Sequence, residues 1–265
     1  MSRRAPLHRP PAAAVVVAAV GFAAFFVLPL LGLLERVTWS HVLRDLDDPA
    51  VRPALRLSLV CSTAAAALSV VFGVPLAWVL ARTEFPGKGI VRALAVLPMV
   101  LPPVVGGVAL LSAFGRRGIA GRWLDEWFDV QIPFTTAAAV MAATFVSMPF
   151  LVVTVDGALR AFDTRFEDAA ASLGAGRWTM FRRVTLPMIW PSLAAGVALA
   201  WARALGEFGA TITFAGNLRG KTQTMPLAVY LTLQSDPGAA LTLSLVLLAV
   251  SVVVLVLAGR RAFAR

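Results

Sequence analysis

A chain of 265 residues that is 59% hydrophobic and only 14% charged, with a mean hydropathy of +0.81, lies far from the roughly 25% charged content of an average soluble domain and belongs in a bilayer. Its formal net charge of +10 does not make it a nucleic-acid binder, because that reading needs a basic face on a soluble domain and here the cations are dispersed between apolar runs. Cys61 is the only cysteine, which excludes an intramolecular disulfide and a cysteine metal cluster; it reads as a small packing residue.

Apolar runs that can cross about 30 Å of hydrocarbon, roughly 20 residues of helix each, occur at 12–34, 55–81, 92–114, 133–155, 189–214 and 238–258. They predict an all-α integral membrane protein of six transmembrane helices with both ends on one side. The N-terminal SRRAPL has a twin-arginine flavour, but the run behind it exceeds the 7 to 15 apolar residues of a signal-peptide core, so the first span is expected to stay uncleaved. His8 and His41, the only histidines, lie outside the runs. Neither a histidine metal site nor a Ser-His site can be assembled inside the membrane, so no catalytic residue, metal ligand or cofactor is expected in the chain.

Orientation follows from the bias of Lys and Arg in short flanking segments. With the N-terminus inside, the inner segments hold Arg3, Arg4, Arg9, Arg82, Lys88, Arg92, Arg160, Arg165, Arg177, Arg182, Arg183, Arg260, Arg261 and Arg265. The outer ones hold fewer: Arg36, Arg44, Arg52, Arg56, Arg116, Arg117, Arg122, Arg219 and Lys221. The bias predicts N-in and C-in, which places the loop at about 156–190 in the cytosol. Residues 1–54 form an inner terminus, the first span and an outer loop, 55–258 the membrane core, and 259–265 a cytosolic tail.

The second and third spans are joined by the short link ARTEFPGKG at 81–89. The third span reads PMVLPPVVGG, with Pro98, Pro102, Pro103, Gly106 and Gly107. Each proline removes a backbone donor, which lipid tolerates only where protein or a water-filled cavity satisfies the freed carbonyls. Either this helix faces the passage or the prolines merely kink a packed helix. The outer link at 115–131 carries Trp123 and Trp127, which suit interface anchors.

The loop DGALRAFDTRFEDAAASLGAGRWTMFRRVTLPMIW is charged and amphipathic, set between two apolar spans. Thr164 with Glu167 three residues on predicts a capping box and a helix start. Phe166, Ala169, Ala170 and Leu173 fall at i, i+3, i+4 and i+7 on one stripe, and Gly174 stands where a left-handed C-cap is needed. A second short helix is predicted from Arg177 to Thr185, with Trp178, Phe181 and Val184 on a ridge, stopped by Pro187. Two such helices make a knob. Burying Phe166, Leu173, Trp178 and Phe181 against a soluble partner contributes roughly 1.5–3 kcal/mol per large side chain before association costs; the bland alternative is an amphipathic segment lying on lipid.

In the fifth span Arg203 and Glu207 stand four apart beside Gly206 and Gly209. Charges inside the membrane pair or face water, so they form either a structural pair or a lining of an anion passage. Thr211, Thr213, Asn217 and Thr222 supply neutral donors near the outer end, suited to transient contacts with tetrahedral oxygens or to helix packing. The segment GNLRGKT at 216–222 is one residue short of a phosphate-binding G-x-x-x-x-G-K-[ST] loop and lies outside, so ATP must be hydrolysed by another chain.

Asp168, Ala169, Ala170 and Gly174 in D-A-A-x-x-x-G, followed by Val184, Leu186 and Pro187 in V-x-L-P, resemble the EAA loop of permease subunits of bacterial ABC importers. The chain departs from the pattern with Asp168 where that family usually has glutamate, and Glu167 just before it leaves an alternative contact open. More narrowly, PMVLPPVVGGVALL and WARALGEFGATITFAGNLRGKTQTMPLAVY are similar to molybdate permeases within the sulfate, molybdate and tungstate group. The resemblance covers about residues 55–258. It implies a type-1 importer permease fold in the bacterial cytoplasmic (inner) membrane, with coupling helices seated in a cleft of the ATPase subunit. It further implies a homodimer whose first span packs on the partner, two ATP-binding cassette subunits that carry the ATP and Mg, and a periplasmic or lipid-anchored oxyanion-binding protein. Two rivals remain: a sulfate or tungstate permease, and an ATPase-independent ion-coupled transporter or channel. Against the second stands the lack of buried acidic residues other than Glu207, since coupling ions need carboxylates or broken-helix sites at the midplane.

Overall fold

The computed structural model describes the backbone of residues 13–263 and side chains as far as 256. The basic terminus with Arg3, Arg4 and Arg9, and the tail residues Arg260, Arg261 and Arg265 as side chains, lie outside the described residues. All the regular structure described is helical, and the elements run in the order α1 Ala13–Arg36, α2 Val42–Leu46, α3 Val51–Leu68, α4 Val74–Arg82, α5 Lys88–Val100, α6 Pro103–Phe114, α7 Gly121–Phe128 and α8 Thr136–Ala161. They continue through α9 Arg165–Ser172, α10 Arg177–Met180, α11 Leu186–Leu205, α12 Gly209–Phe214, α13 Met225–Ser235 and α14 Pro237–Phe263.

The centre of the bundle is α8, which packs against α3, α4, α5 and α11. Its buried face is built from Ala138, Ala139, Ala142, Ala143, Val146, Ser147, Leu151 and Val155, and α3 answers with Cys61 and Ala65. Lipid offers no hydrophobic drive to bring helices together, so small residues that let backbones approach do this work by van der Waals contact. A Cβ on Gly196 of α11 would stand 3.2 Å from Thr154 Cβ of α8, which shows how close that crossing is. Cys61, 2% exposed, is the packing residue its sequence context predicts.

Among the described residues five helices are long and apolar enough to cross a membrane: Ala13–Arg36, Val51–Arg82, Thr136–Ala161, Arg177–Leu205 and Pro237–Val256. The third of the six expected spans is not one continuous helix but two shorter ones. The chain leaves the helix at Leu101 and Pro102 with ψ 134° and 132°, because consecutive prolines remove two donors and force the preceding residues into extended backbone. This leaves α5 with 13 residues and α6 with 12, about 18 Å for the latter at 1.5 Å per residue. The fifth predicted span is also two pieces, since α11 ends at Leu205 and α12 begins at Gly209.

Two local expectations fail in the 156–190 loop. Thr164 has helical dihedrals (φ −63°, ψ −17°) and its side chain caps nothing. Asp163 does that work instead: its Oδ1 accepts from the Arg165 amide at 3.0 Å, while the Arg165 guanidinium donates to both carboxylate oxygens and holds the Asp163 carboxyl below its ordinary pKa. Nor does Pro187 stop a helix. A wide π turn at Phe181–Thr185 carries α10 into α11, with Pro187 in the first turn of α11, so one helix runs from Arg177 to Leu205. The register slip of a π turn accommodates a ring that a regular helix could not take.

Candidate coupling and translocation site

The loop helix α9 ends as predicted. Gly174 adopts φ +80°, its amide donates to Ala171 O at 2.9 Å, and the Ala175 amide donates to Ala170 O at 3.0 Å. These are the paired bonds of a Schellman motif. Phe166, Asp168, Ala169 and Leu173 are exposed, Ala170 is half-buried, and Leu173 reaches 90% exposure. Trp178, 70% exposed, continues this uncovered surface. Phe181, unlike these, is half-buried and meets Trp78 of α4 edge to face at 5.3 Å. The knob's outer face is therefore Phe166, Leu173 and Trp178.

Glu167 points the other way. Its Oε1 accepts from the Thr185 hydroxyl at 2.6 Å and from Arg82 Nη2 at 3.2 Å. The Arg82 guanidinium also lies over the rings of Trp78 and Phe162, at 5.7 and 5.2 Å. Beside it, Asp156 Oδ1 receives Arg160 at 2.9 Å and Arg92 at 3.3 Å, and both guanidinium groups donate to the Leu80 carbonyl near the end of α4. This network joins the 81–89 link to the loop, and the sequence reading missed its members: Arg82, Arg92 and Arg160 counted only as topology signals, and Thr185 as an ordinary helix residue. Arg82 and Arg92 stand far along the chain from their acids and leave no local spacing to read, whereas the i,i+4 pair Asp156 and Arg160 was legible.

The two helix breaks meet. A Cβ on Gly209 would lie 2.8 Å from Pro103 Cβ, and one on Gly107 would overlap Thr213 Oγ1 and stand 2.8 Å from the Ala210 carbonyl. Thus α6 and α12 cross backbone to backbone, which only glycine allows at those positions. Pro102 and Pro103 are exposed at the start of α6, as are Val104, Val105 and Val108. At the second break Glu207, 2% exposed, accepts the Ala210 amide on Oε1 at 2.8 Å, and its Oε2 lies 2.6 Å from Arg203 Nη1. The geometry of that last contact is that of an ion pair rather than an aligned hydrogen bond. Arg203 retains 28% side-chain exposure, so the pair has one buried and one accessible member.

The neutral donors divide. Thr213 donates to the carbonyls of Gly209 and Ala210 and Thr211 is buried, so both are committed to packing around α12. Thr222 is fully buried and accepts the Leu218 amide; the amides of Lys221, Thr222 and Gln223 all turn back onto Leu218 O, so the phosphate-loop look-alike closes on itself. Asn217 keeps a buried Oδ1 without a hydrogen-bond partner among the described residues and lines a cavity of about 750 Å³ with Arg44, Asp45, Gln223 and Asp236. The structure brings Pro103 to α12 and joins Arg203 to Glu207, but leaves Asn217 in this separate cavity.

Helices broken inside a membrane, packed against one another, and a loop helix outside the bundle define a transporter subunit. The chain matches the family described as binding-protein-dependent transport system inner membrane component over residues 73–265, and it belongs to that family. It is 46% identical to the molybdenum transport system permease protein ModB of Mycobacterium tuberculosis, over 93% of each chain. It is 39% identical to the sulfate transport system permease protein CysT of Escherichia coli, over 86% of this chain and 84% of that one. A bacterial ABC transporter involved in the import of alginate shares the fold, with a TM-score of 0.72 at 18% identity over 94% of this chain and 93% of the other. The chain is thus a multi-pass membrane protein of the ABC importer permease class.

Proposed function

We propose that this chain is the membrane permease of an ATP-driven molybdate importer. It works as a homodimer on two ATP-binding cassette subunits and receives its oxyanion from a periplasmic or lipid-anchored binding protein. The observation that carries the reading is the uncovered face of Phe166 and Leu173 at the capped helix α9, with Trp178 exposed on the neighbouring α10, a surface suited to a soluble partner. Hydrolysis belongs to that partner, with its ATP and Mg. Molybdate is favoured over sulfate by the higher identity to the molybdenum permease. The homodimer is supported by α1, which touches α14 but has no buried residue among those described and so offers a face to a second copy.

An N-in, C-in orientation agrees with the cation bias and with the shared network that holds the 81–89 link and the 156–190 loop at one end. In this reading Asp168, Ala169, Ala170 and Gly174 belong to the coupling contact. Pro102, Pro103 and Arg203 border the passage, while Glu207, Thr211 and Thr213 hold the break beside it; Asn217, in its separate cavity, is left out of the passage. Closure of the ATPase pair pushes the two knobs together, and rigid helices turn this into opening of the passage. ATP shifts that equilibrium only as far as the ATP-bound pair prefers one state, which must amount to several kcal/mol.

The test is uptake of radiolabelled molybdate into proteoliposomes that hold the chain and its ATP-binding cassette subunit, with binding protein outside and sulfate as competitor. Uptake that needs every component and resists sulfate supports the proposal. Strong competition by sulfate would change the cargo, and uptake without the ATPase would refute ATP drive. In the same assay Gly174→Leu is expected to insert normally yet lose most uptake. Its Cβ would meet nothing within 4 Å, so the damage is the roughly 1–2 kcal/mol of a left-handed conformation forced on an L side chain. Wild-type uptake by this variant would count against the knob as the coupling element.

A further inference from the structure

We propose that Arg82, Glu167 and Thr185 form a clamp that makes the loop helix move as one body with two long membrane helices, so that Glu167 is a positioning residue for coupling. The inference rests on the ATP-driven reading above. Its starting point is a mechanical problem. With 8 residues, α9 is far below the 12 to 15 at which an isolated helix becomes even marginally stable in water, and its outer face has no cover among the described residues. A partner pressing on Phe166 and Leu173 would deform such a helix locally unless something behind it were fixed.

Glu167 supplies that fixture. Its neighbour Asp168 is exposed, and since successive residues on a helix are about 100° apart, one acid faces out while the other faces the bundle. The inward carboxylate meets the last residue of the helix Val51–Arg82 and the final residue of the π turn within the helix Arg177–Leu205. Arg82 and Glu167 keep 17% and 14% side-chain exposure, and Thr185 keeps none. Shielding from water strengthens a charged contact and makes its loss costly. The Arg82 guanidinium also lies over Trp78 of its own helix, a cation–π contact that favours its staying with α4 when α9 is pushed. One carboxylate therefore loads both long helices when α9 is displaced, and the second of them leads to Arg203 at the break beside the passage.

The experiment uses the full chain assembled with its ATPase and binding protein in proteoliposomes, and compares Glu167→Gln, Thr185→Val and the conservative Thr185→Ser. Two quantities are read: ATP hydrolysed per radiolabelled molybdate imported, and amide hydrogen exchange over residues 165–173. Glu167→Gln and Thr185→Val are expected to raise the ATP-to-import ratio about tenfold, as loss of a hydrogen bond to a charged group implies, with faster exchange in 165–173 and undiminished co-purification of the ATPase. Thr185→Ser keeps the hydroxyl and should stay near wild type in both. A merely structural role would lower hydrolysis and import together; an unchanged ratio overturns the clamp. So does loss of ATPase binding in Glu167→Gln, which would make Glu167 a docking residue. If wild type itself showed no ATP-dependent import, the transport reading would fail, and the exchange measurement would still decide the clamp: acceleration in Glu167→Gln supports it and unaltered exchange removes it.

Discussion

Replacing Arg203 with alanine is expected to destabilise the protein by about 3 kcal/mol. Removing one partner of a buried ion pair costs roughly 3–5 kcal/mol because the other charge is left uncompensated. The lower end applies because Arg203 remains 28% exposed while Glu207 is 1% exposed. Glu207 cannot escape by turning, since its other oxygen holds the Ala210 amide at the start of α12. The double variant Arg203→Ala with Glu207→Gln removes the stranded charge and keeps an oxygen for that amide, so its melting temperature in detergent should recover much of the loss. Import should not recover with it. If the accessible guanidinium meets the oxyanion in passage, its removal leaves uptake reduced about tenfold or more, the scale of a charge-assisted hydrogen bond. Import that returned together with stability would assign the pair to holding the helix break alone.

The prolines show where sequence reasoning ran out. Pro98, Pro149 and Pro191 all lie inside continuous helices, and Pro187 follows a π turn that carries the helix through. Only the adjacent pair Pro102–Pro103 opens a gap in the third span. A single proline in a membrane helix can be absorbed by neighbours and local π adjustment, whereas two in succession remove two adjacent donors and push the residues before them into extended backbone. Hydropathy averages over such gaps, which is why six runs became five long helices and two shorter ones at the third span. The Schellman end at Gly174 was legible because its requirement is local: one residue with φ above zero after an amphipathic turn.

Glu167 illustrates the opposite case. The T-x-x-E spacing matches a capping box, yet the carboxylate is drawn to Arg82, 85 residues earlier, and to Thr185, 18 residues later. Asp163 takes over the cap. A local motif lost to a buried charge because the exposed cap offers less than a shielded ion pair with a fixed guanidinium. Nothing in the spacing of the chain could have ranked the two. Likewise the crossing of α6 and α12 depends on residues 107 and 209–213, which only the folded bundle brings together.

That crossing carries the second large effect. Gly107→Val is expected to destabilise the bundle by about 1–3 kcal/mol, the range for forcing extra volume into a packed site, and to abolish most import. Even the first added carbon would overlap Thr213 Oγ1 and approach the Ala210 carbonyl to 2.8 Å and its Cα to 2.9 Å. A side-chain hydroxyl can rotate away, but a carbonyl within α12 cannot, so α6 must move outward from α12. Displacing α6 also displaces Pro103, which packs on Gly209, and with it the mouth formed by the two breaks. Thr213→Ala alone removes a hydroxyl bonded only to its own helix carbonyls and should change stability little. Added to Gly107→Ala it should relieve the side-chain overlap but not the backbone contact. Partial recovery of melting temperature in that double variant, with import still impaired, would locate the defect in helix separation. Wild-type import by Gly107→Val would show that α6 and α12 can part without consequence, and would remove the meeting of the two breaks from the passage.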